Sequence, residues 1–195
     1  MKPIATLIPA AGASTRYGGC KQLAEDAEGR SLLQRAVDLA GSVTPGNVFV
    51  VTGEAHPQIA ATLRGATLIH HPAWHQGLGS SIACGVGRIA DRYRGVMILL
   101  ADQVALTRQD LDSLCEGFDG GNILCAGYGG TRGVPALFCP ESFPLLARLT
   151  GERGAKSLLY ETRFRITAVP MENAAVDIDS TEDLQRWLSP DPAAS

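Results

Sequence analysis

The hydrophobic positions of this chain form short apolar runs that alternate with stretches of helical periodicity. Residues 3–9 are apolar and end at a turn of alanine, glycine and serine, a pattern typical of a buried parallel strand. Residues 31–40 place apolar side chains on one helical face, and residues 48–52 form a β-branched run after a Thr-Pro-Gly-Asn turn. These segments predict a β-α-β unit.

The same alternation continues to residue 188. It predicts further helices over residues 57–63, 80–89, 107–115, 140–149, 154–161 and 181–188, and further strands over residues 67–69, 95–100, 123–126, 134–138 and 165–169. Thr107 with Asp110, and Ser180 with Asp183, are spaced as capping boxes. Alternating strands and helices predict an α/β fold, a Rossmann-like three-layer sandwich with a mostly parallel sheet and helices on both faces. We expect one domain over residues 1–188 and a disordered tail over residues 189–195.

Composition and charge restrict the possible partners. A chain of 195 residues can bury a sizeable core without a disulfide or a structural metal. Its 17 Lys and Arg residues against 20 Asp and Glu residues give a net charge of −3 with no basic block, so we expect neither a nucleic acid nor a membrane as a partner. Five dispersed cysteines and the absence of a signal-peptide or membrane-span pattern predict a cytoplasmic protein.

Residues 10–21 follow the first strand, at the sheet edge where open α/β sheets bind ligands. The small residues let backbone N–H groups approach phosphate oxygens, the hydroxyls and the arginine donate hydrogen bonds, and the lysine adds a point charge. The predicted nucleotide-binding residues of this loop are Ala10, Ala11, Gly12, Ser14, Thr15, Arg16 and Lys21. The loop matches neither GxxxxGK[ST] nor GxGxxG, and the alternative is a glycine-rich turn with a solvated arginine and lysine.

The sequence of this loop and of the strand end before it is similar to a known family signature. Residues 8–21 read Ile-Pro-Ala-Ala-Gly-x-Ser-x-Arg-x-Gly-x-x-Lys, which resembles the signature of the cytidylyltransferase and guanylyltransferase superfamily. In that superfamily the loop wraps a triphosphate, which the arginine and lysine neutralise. Tyr17 stands where methionine or phenylalanine is usual. The resemblance extends over residues 4–188 and implies the fold of the nucleotide-diphospho-sugar transferases.

A second loop resembles a narrower group. Residues 71–82 are similar to a segment of the molybdenum cofactor cytidylyltransferases in which the loop faces the nucleotide. The resemblance therefore implies that Gly77, Gly79, Ser80 and Ser81 bind the nucleotide. The alternative is an ordinary helix capped by a serine.

An aspartate follows a fully apolar strand at the same edge of the sheet. Asp102 is a natural Mg²⁺ ligand, because Mg²⁺ prefers hard oxygen donors. The family pattern here is Gly-Asp-Gln/Met-Pro, so Asp102 and Gln103 match whereas Ala101 and Val104 do not. Later in the chain, residues 132–138 resemble another family element, with Val134 in place of the usual histidine.

A second carboxylate comes from the end of the chain. Residues 176–184 resemble the family segment Asp-Ile-Asp-Thr-Pro-Glu-Asp-Leu, in which Asp179 corresponds to the second metal-binding carboxylate. The alternative for this acidic cluster is the chemistry of a helix start. The resemblance implies Mg²⁺ as cofactor, held by Asp102 and Asp179. The predicted catalytic residues are Arg16, Lys21 and Asp102.

Together these segments predict a Mg²⁺-dependent nucleotidyltransferase. The resemblance implies that CMP moves from CTP to a phosphate-bearing acceptor such as molybdopterin, with release of pyrophosphate and handover of the product to a molybdoenzyme or its chaperone. Two alternatives stay open. Gly-x-Gly patterns at residues 77–79 and 85–87 are weak fingerprints of a nicotinamide-dependent oxidoreductase, and Ala101, Val104 and Val134 would suit a non-catalytic nucleotide- or cofactor-binding protein.

Overall fold

The computed structural model describes residues 3–12 and 17–189, which form one seven-stranded sheet with helices packed on it. The strands are β1 (Ile4–Ala10), β2 (Val48–Thr52), β3 (Thr67–His70), β4 (Gly95–Ile98), β5 (Asn122–Tyr128), β6 (Thr131–Phe138) and β7 (Arg165–Pro170). The helices are α1 (Leu32–Val43), α2 (His56–Thr62), α3 (Leu78–Ile89), α4 (Arg108–Glu116), α5 (Phe143–Leu146) and α6 (Thr181–Leu188). Ser14, Thr15, Arg16 and most of the predicted tail lie outside the described residues.

The strand order is β3-β2-β1-β4-β6-β5-β7, and every neighbouring pair is parallel except those that involve β6. Strand β6 runs antiparallel because Gly129 and Gly130 join it to β5 as a two-residue hairpin. Both glycines have positive φ angles, +53° and +72°, which such hairpin turns require. The prediction of a mostly parallel sheet is confirmed, with β6 as the exception.

The helices pair on the two faces of the sheet: α1 packs with α4, and α3 packs with α5. Helix α3 lies very close to the central strands, because a Cβ atom on Gly85 would come within 2.6 Å of the Leu7 side chain and 2.9 Å of the Val51 side chain. Leu7 and Val51 are fully buried. This part of the core, where β1 and β2 meet α3, therefore leaves no space between helix and sheet.

Local sequence signals placed most element ends within two residues of the observed ones, although the helix predicted over residues 140–149 is only Phe143–Leu146. Both predicted capping boxes are present, Thr107 with Asp110 at α4 and Ser180 with Asp183 at α6. The helix predicted over residues 154–161 is instead a 3₁₀ turn (Ala155–Tyr160). Apolar side chains three residues apart share a face in both kinds of helix, so the apolar pattern could not distinguish them. None of the helices among residues 3–12 and 17–189 has the length and apolar character needed to cross a bilayer.

Candidate functional site

A cleft of about 420 Å³ opens beyond the carboxyl ends of β1 and β4. Its walls come from the loop after β1, the loop before α3, the turn after β4 and the segment before α6. The predicted site residues that line it are Ala11, Gly12, Lys21, Gly77, Ser81, Asp102 and Asp179. The tertiary structure thus brings together residues that are up to 168 positions apart in the chain, as between Ala11 and Asp179.

Lys21 lies at the centre of the charged edge of this cleft. Its Nζ atom donates hydrogen bonds to Asp102 Oδ2 at 2.8 Å, to the Ile178 carbonyl oxygen at 2.7 Å and to Asp179 Oδ1 at 3.4 Å. The Ile178 N–H in turn donates to the Asp102 carbonyl oxygen at 3.0 Å. This backbone hydrogen bond fixes the segment before α6 against the turn after β4, so the two carboxylates are held beside one ammonium group.

The two carboxylates fit a divalent cation by their chemistry. The Oδ1 atom of Asp102 is buried and has no hydrogen-bond partner among the described residues. The Oδ2 atom of the same carboxylate contacts the Lys21 ammonium group. Asp179, with 57% of its side chain exposed against 21% for Asp102, faces the open side of the cleft. No cluster of three or more His, Cys, Asp or Glu side chains with metal-binding geometry occurs in the described part of the chain. A metal here would take further oxygen ligands from water and phosphate, as Mg²⁺ commonly does.

A third carboxylate, Asp177, increases the negative charge around this pair. Partial desolvation raises the pKa of Asp177, and the negative charges of Asp179 and Asp102 raise it further. Sequence reasoning did not select this residue, although it stands in the quoted acidic segment. The cleft edge therefore concentrates negative charge that Lys21 only partly neutralises.

The loop before α3 is clamped against the turn at residues 150–153. Gly77 has a φ angle of +97°, and a Cβ atom on it would come within 2.5 Å of the Gly151 carbonyl group. The Gly79 N–H donates to the Gly151 carbonyl oxygen at 2.8 Å. Glycines at these two positions therefore let two loops pack together. Gly79 does not line the cleft, and its nucleotide-binding role stays a prediction.

Ser80 also has partners inside the protein. Its hydroxyl donates to the Gly77 carbonyl oxygen at 2.8 Å and lies 3.1 Å from His71 Nε2. Since a hydroxyl has one proton, Ser80 accepts from His71, which must then carry a proton on Nε2. Burial lowers the pKa of His71, and the charge of Arg88 lowers it further, which favours the neutral ring. Ser80 thus stabilises the loop, while the neighbouring Ser81 lines the cleft.

Two other sequence-selected residues lie beside the cleft. Ala10, the last residue of β1, is buried and does not line it. Gln103, which matches the family pattern, uses its amide nitrogen to donate to the carbonyl oxygens of Val134 at 2.7 Å and Ala174 at 2.9 Å. Gln103 therefore connects the turn after β4 to β6 and to the segment after β7.

The cleft lining also includes side chains that sequence reasoning did not select, among them Trp74, His75 and Glu152. Trp74 packs so closely on Gly53 that a Cβ atom there would lie 2.6 Å from the indole ring. A sequence signal for Trp74 and His75 was present, because both belong to the segment 71–82 that resembles the cytidylyltransferases. Which of its side chains face the cleft depends on the short 3₁₀ turn Trp74–Gln76, which the pattern of apolar residues did not reveal.

Comparison with known proteins identifies the family of this chain. Residues 6–166 match the family described as MobA-like NTP transferase domain. The chain is also 29% identical over 190 residues to the bifunctional protein GlmU of Halorhodospira halophila (strain DSM 244 / SL1). That alignment covers 96% of this chain but only 38% of the GlmU protein, so the chain spans well under half the length of this curated relative.

Solved structures share the fold over nearly the whole chain. The crystal structure of Rv0371c from Mycobacterium tuberculosis H37Rv superposes with a TM-score of 0.81 at 24% identity and covers 96% of this chain and 98% of its own. A structure of the same protein in complex with manganese superposes with a TM-score of 0.77 at 24% identity and covers 97% of this chain and 100% of its own. The molybdopterin-guanine dinucleotide biosynthesis protein A of Archaeoglobus fulgidus superposes with a TM-score of 0.67 at 17% identity and covers 93% of this chain and 95% of its own.

The family match, which covers most of the chain, favours nucleotidyl transfer over the nicotinamide alternative. Strands β2 to β6, the glycine-containing loop after β1 and Asp102 after β4 lie inside the matched residues, whereas Asp179 lies beyond them. On these grounds the chain belongs to the family of MobA-like NTP transferase domains.

Proposed function

We propose that this protein transfers CMP from CTP to a phosphate group of an acceptor such as molybdopterin, releases pyrophosphate and requires Mg²⁺. The observation that carries the proposal is the convergence of Lys21, Asp102 and Asp179 on one edge of the cleft. Carboxylates and an ammonium group beside a loop of small residues are the groups that a metal-bound triphosphate needs. The choice of CTP and of a pterin acceptor rests on the resemblance of residues 71–82 to molybdenum cofactor cytidylyltransferases.

The cleft has room for the nucleotide, since ligand sites commonly measure about 300 to 1,000 Å³. In the proposed orientation the triphosphate lies against Ala11 and Gly12, whose backbone can approach phosphate closely. The loop before α3, with Gly77 and Ser81, would face the rest of the nucleotide. Arg16, which lies outside the described residues, is proposed as a second cation for the phosphates.

The proposed reaction is an in-line displacement at the α-phosphorus of CTP. A phosphate oxygen of the acceptor forms the new P–O bond, the bond from the α-phosphorus to the oxygen that bridges to the β-phosphate breaks, and pyrophosphate leaves with that oxygen. The attacking oxygen is already anionic at neutral pH, so the protein need not remove a proton from it. Positioning and charge stabilisation by the chain then supply the acceleration.

Asp102 and Asp179 would hold the Mg²⁺ ion, which when bound supplies positive charge to the phosphate oxygens. Lys21 and Arg16 would stabilise the negative charge of the departing pyrophosphate. The clamp between the loop before α3 and the turn at residues 150–153 would hold the opposite wall of the cleft in place. Transfer of the product to a molybdoenzyme or its chaperone belongs to the same proposal.

Pyrophosphate release by the purified protein tests the proposal. Each of the four nucleoside triphosphates is supplied with and without molybdopterin, and with Mg²⁺ or with a chelator. We expect rapid release only with CTP, molybdopterin and Mg²⁺ together. CTP that raises the melting temperature without any pyrophosphate release under all conditions would instead indicate a non-catalytic binding protein.

The Asp102→Asn variant tests the proposed metal ligand. It keeps the size of the side chain but removes its charge, and we expect kcat to fall by at least about 100-fold. The matched control is Asp112→Asn on α4, which removes a carboxylate that forms an ion pair with Arg108 and should leave kcat unchanged. Mg²⁺-dependent turnover near the wild-type rate in Asp102→Asn would contradict the role of Asp102.

A further inference from the structure

The hydrogen-bonding capacity of Lys21 is fully used. A lysine ammonium group has three N–H donors and no acceptor. Its three acceptors here are Asp102 Oδ2, the Ile178 carbonyl oxygen and Asp179 Oδ1. In this arrangement Lys21 has no N–H group to offer a phosphate, so it cannot bind a triphosphate without leaving at least one of these oxygens.

The two carboxylates that Lys21 contacts are the same two that would hold the metal. Both stand beside one positive charge, and a divalent cation placed between them would be repelled by an ammonium group that stayed there. Lysine has a flexible four-carbon stem, so its charge can move while its backbone stays in place. The metal and Lys21 therefore compete for one pair of ligands.

We propose that Lys21 and the divalent metal bind the Asp102–Asp179 pair in alternation. Without nucleotide, the Lys21 ammonium neutralises the two carboxylates. When a metal-bound triphosphate binds, the two carboxylates would hold the metal and Lys21 would move to the phosphates. This inference rests on the proposed function and adds that metal and triphosphate bind cooperatively, because each favours the arrangement that the other needs.

The contact between Lys21 and Asp179 is where the exchange can begin. Asp102 Oδ1 is buried, carries no hydrogen bond from any described residue and belongs to the carboxylate whose other oxygen contacts Lys21. The contact of Lys21 with Asp179 is the longest of the three, at 3.4 Å, and involves the more exposed carboxylate. An incoming cation can therefore displace Lys21 from Asp179 first, and Asp102 Oδ1 is the oxygen left to accept it as the ammonium group moves away.

Binding of Mn²⁺ to the nucleotide-free protein tests the competition, and the electron paramagnetic resonance signal of free Mn²⁺ reports it. The Lys21→Met variant keeps the length of the side chain but removes the competing charge, so we expect it to bind Mn²⁺ at least about tenfold more tightly than the wild type. The control is Lys156→Met, which removes the same charge from an exposed position and should leave the affinity within about twofold of the wild type.

A further variant locates the gain in affinity. Adding Asp102→Asn to Lys21→Met should return the Mn²⁺ affinity to the wild-type value or below it. Equal Mn²⁺ affinity in the wild type and in a folded Lys21→Met would overturn the inference. So would a gain that survives Asp102→Asn, because the tighter site would then lie elsewhere.

The wild-type protein offers a test that needs no substitution to fold. The chain has only three lysines, Lys2, Lys21 and Lys156, so ¹⁵N-lysine labelling gives few side-chain ammonium signals. Addition of Mg²⁺ with a non-hydrolysable CTP analogue should shift the Lys21 signal and leave that of Lys156 in place. An unchanged Lys21 signal at saturation would show that the ammonium stays on its carboxylates.

These measurements separate the inference from the proposed function. Mn²⁺ affinity of the nucleotide-free protein requires no turnover. If Lys21→Met gains affinity but the wild type transfers no nucleotide, the exchange stands and the proposed function fails. If the wild type transfers CMP but Lys21→Met gains no affinity, only the exchange fails.

Discussion

Two glycines on helix α3 show how much a single residue can depend on distant neighbours. A Cβ atom on Gly79 would come within 2.7 Å of the Arg153 carbonyl oxygen and 2.8 Å of the Thr150 carbonyl oxygen. A Cβ atom on Gly87, two turns later, would meet nothing within 4 Å. Gly79 is therefore required by close packing of two backbones, whereas Gly87 only lowers the intrinsic stability of the helix.

We expect Gly79→Ala to lower the melting temperature by several degrees and to weaken CTP binding, because backbone atoms at residues 150–153 cannot yield without moving a wall of the cleft. The control, Gly87→Ala, should stabilise the protein by up to about 1 kcal/mol and leave CTP affinity unchanged. Thermal unfolding and calorimetric titration measure the two effects. Wild-type stability in Gly79→Ala would show that the turn moves freely.

At the scale of elements, the structure contains two capping boxes of the same design with different surroundings. At α4, Thr107 and Asp110 exchange hydrogen bonds, and neither residue lines the cleft. At α6, Asp183 Oδ2 accepts from the N–H groups of both Ser180 and Asp179, at 2.9 and 3.2 Å. The cap of α6 therefore also fixes the backbone of a proposed metal ligand.

The pair of caps supplies a matched experiment. Ser180→Ala and Thr107→Ala should each lower the free energy of unfolding by about 1 kcal/mol, since each removes an N-cap hydroxyl. Only Ser180→Ala should also weaken metal-dependent CTP binding, because it releases the start of α6 next to Asp179. Chemical denaturation and calorimetry give the two quantities. Equal CTP affinities in the two variants would show that the cap does not position Asp179.

At the scale of the whole molecule, a small apolar cluster joins the parts that form the charged edge. Its buried members are Leu32 from α1, Val104 from the turn after β4 and Ile178 from the segment before α6. Ile178 is 1% exposed, and its backbone contacts both Lys21 and Asp102. The position of the proposed site thus depends on the packing of three distant segments.

We expect Ile178→Ala to cost about 2 to 5 kcal/mol of stability and to weaken metal-dependent CTP binding as well. Ile89→Ala is the control, because Ile89 is equally buried but lies in the main core at the end of α3. It should lose comparable stability and keep its CTP affinity. A loss of affinity in both folded variants would mean that general destabilisation, and not this cluster, controls the site.

The alternation of apolar runs and helical stretches was enough to predict the α/β architecture and most element bounds, because each signal is contained within a few neighbouring residues. The capping boxes were predictable for the same reason, since their partners are three positions apart. The positions of Lys21 and Asp102 near the ends of β1 and β4 followed from the rule that parallel strands present their carboxyl ends at one edge. The nucleotide-binding roles of Ser14, Thr15 and Arg16 stay predictions.

Only the tertiary structure shows which donors and acceptors already have partners within the protein. The contacts of Gly79 and Ser80 depend on residues 150–153 and on His71. Likewise, the sequence was enough to select Lys21, Asp102 and Asp179 as site residues. It did not reveal that all three N–H groups of Lys21 donate to oxygens at this edge of the cleft. Residue types and local spacing determine what chemistry a chain can carry. Which donor meets which acceptor is decided only when segments far apart in the chain pack together.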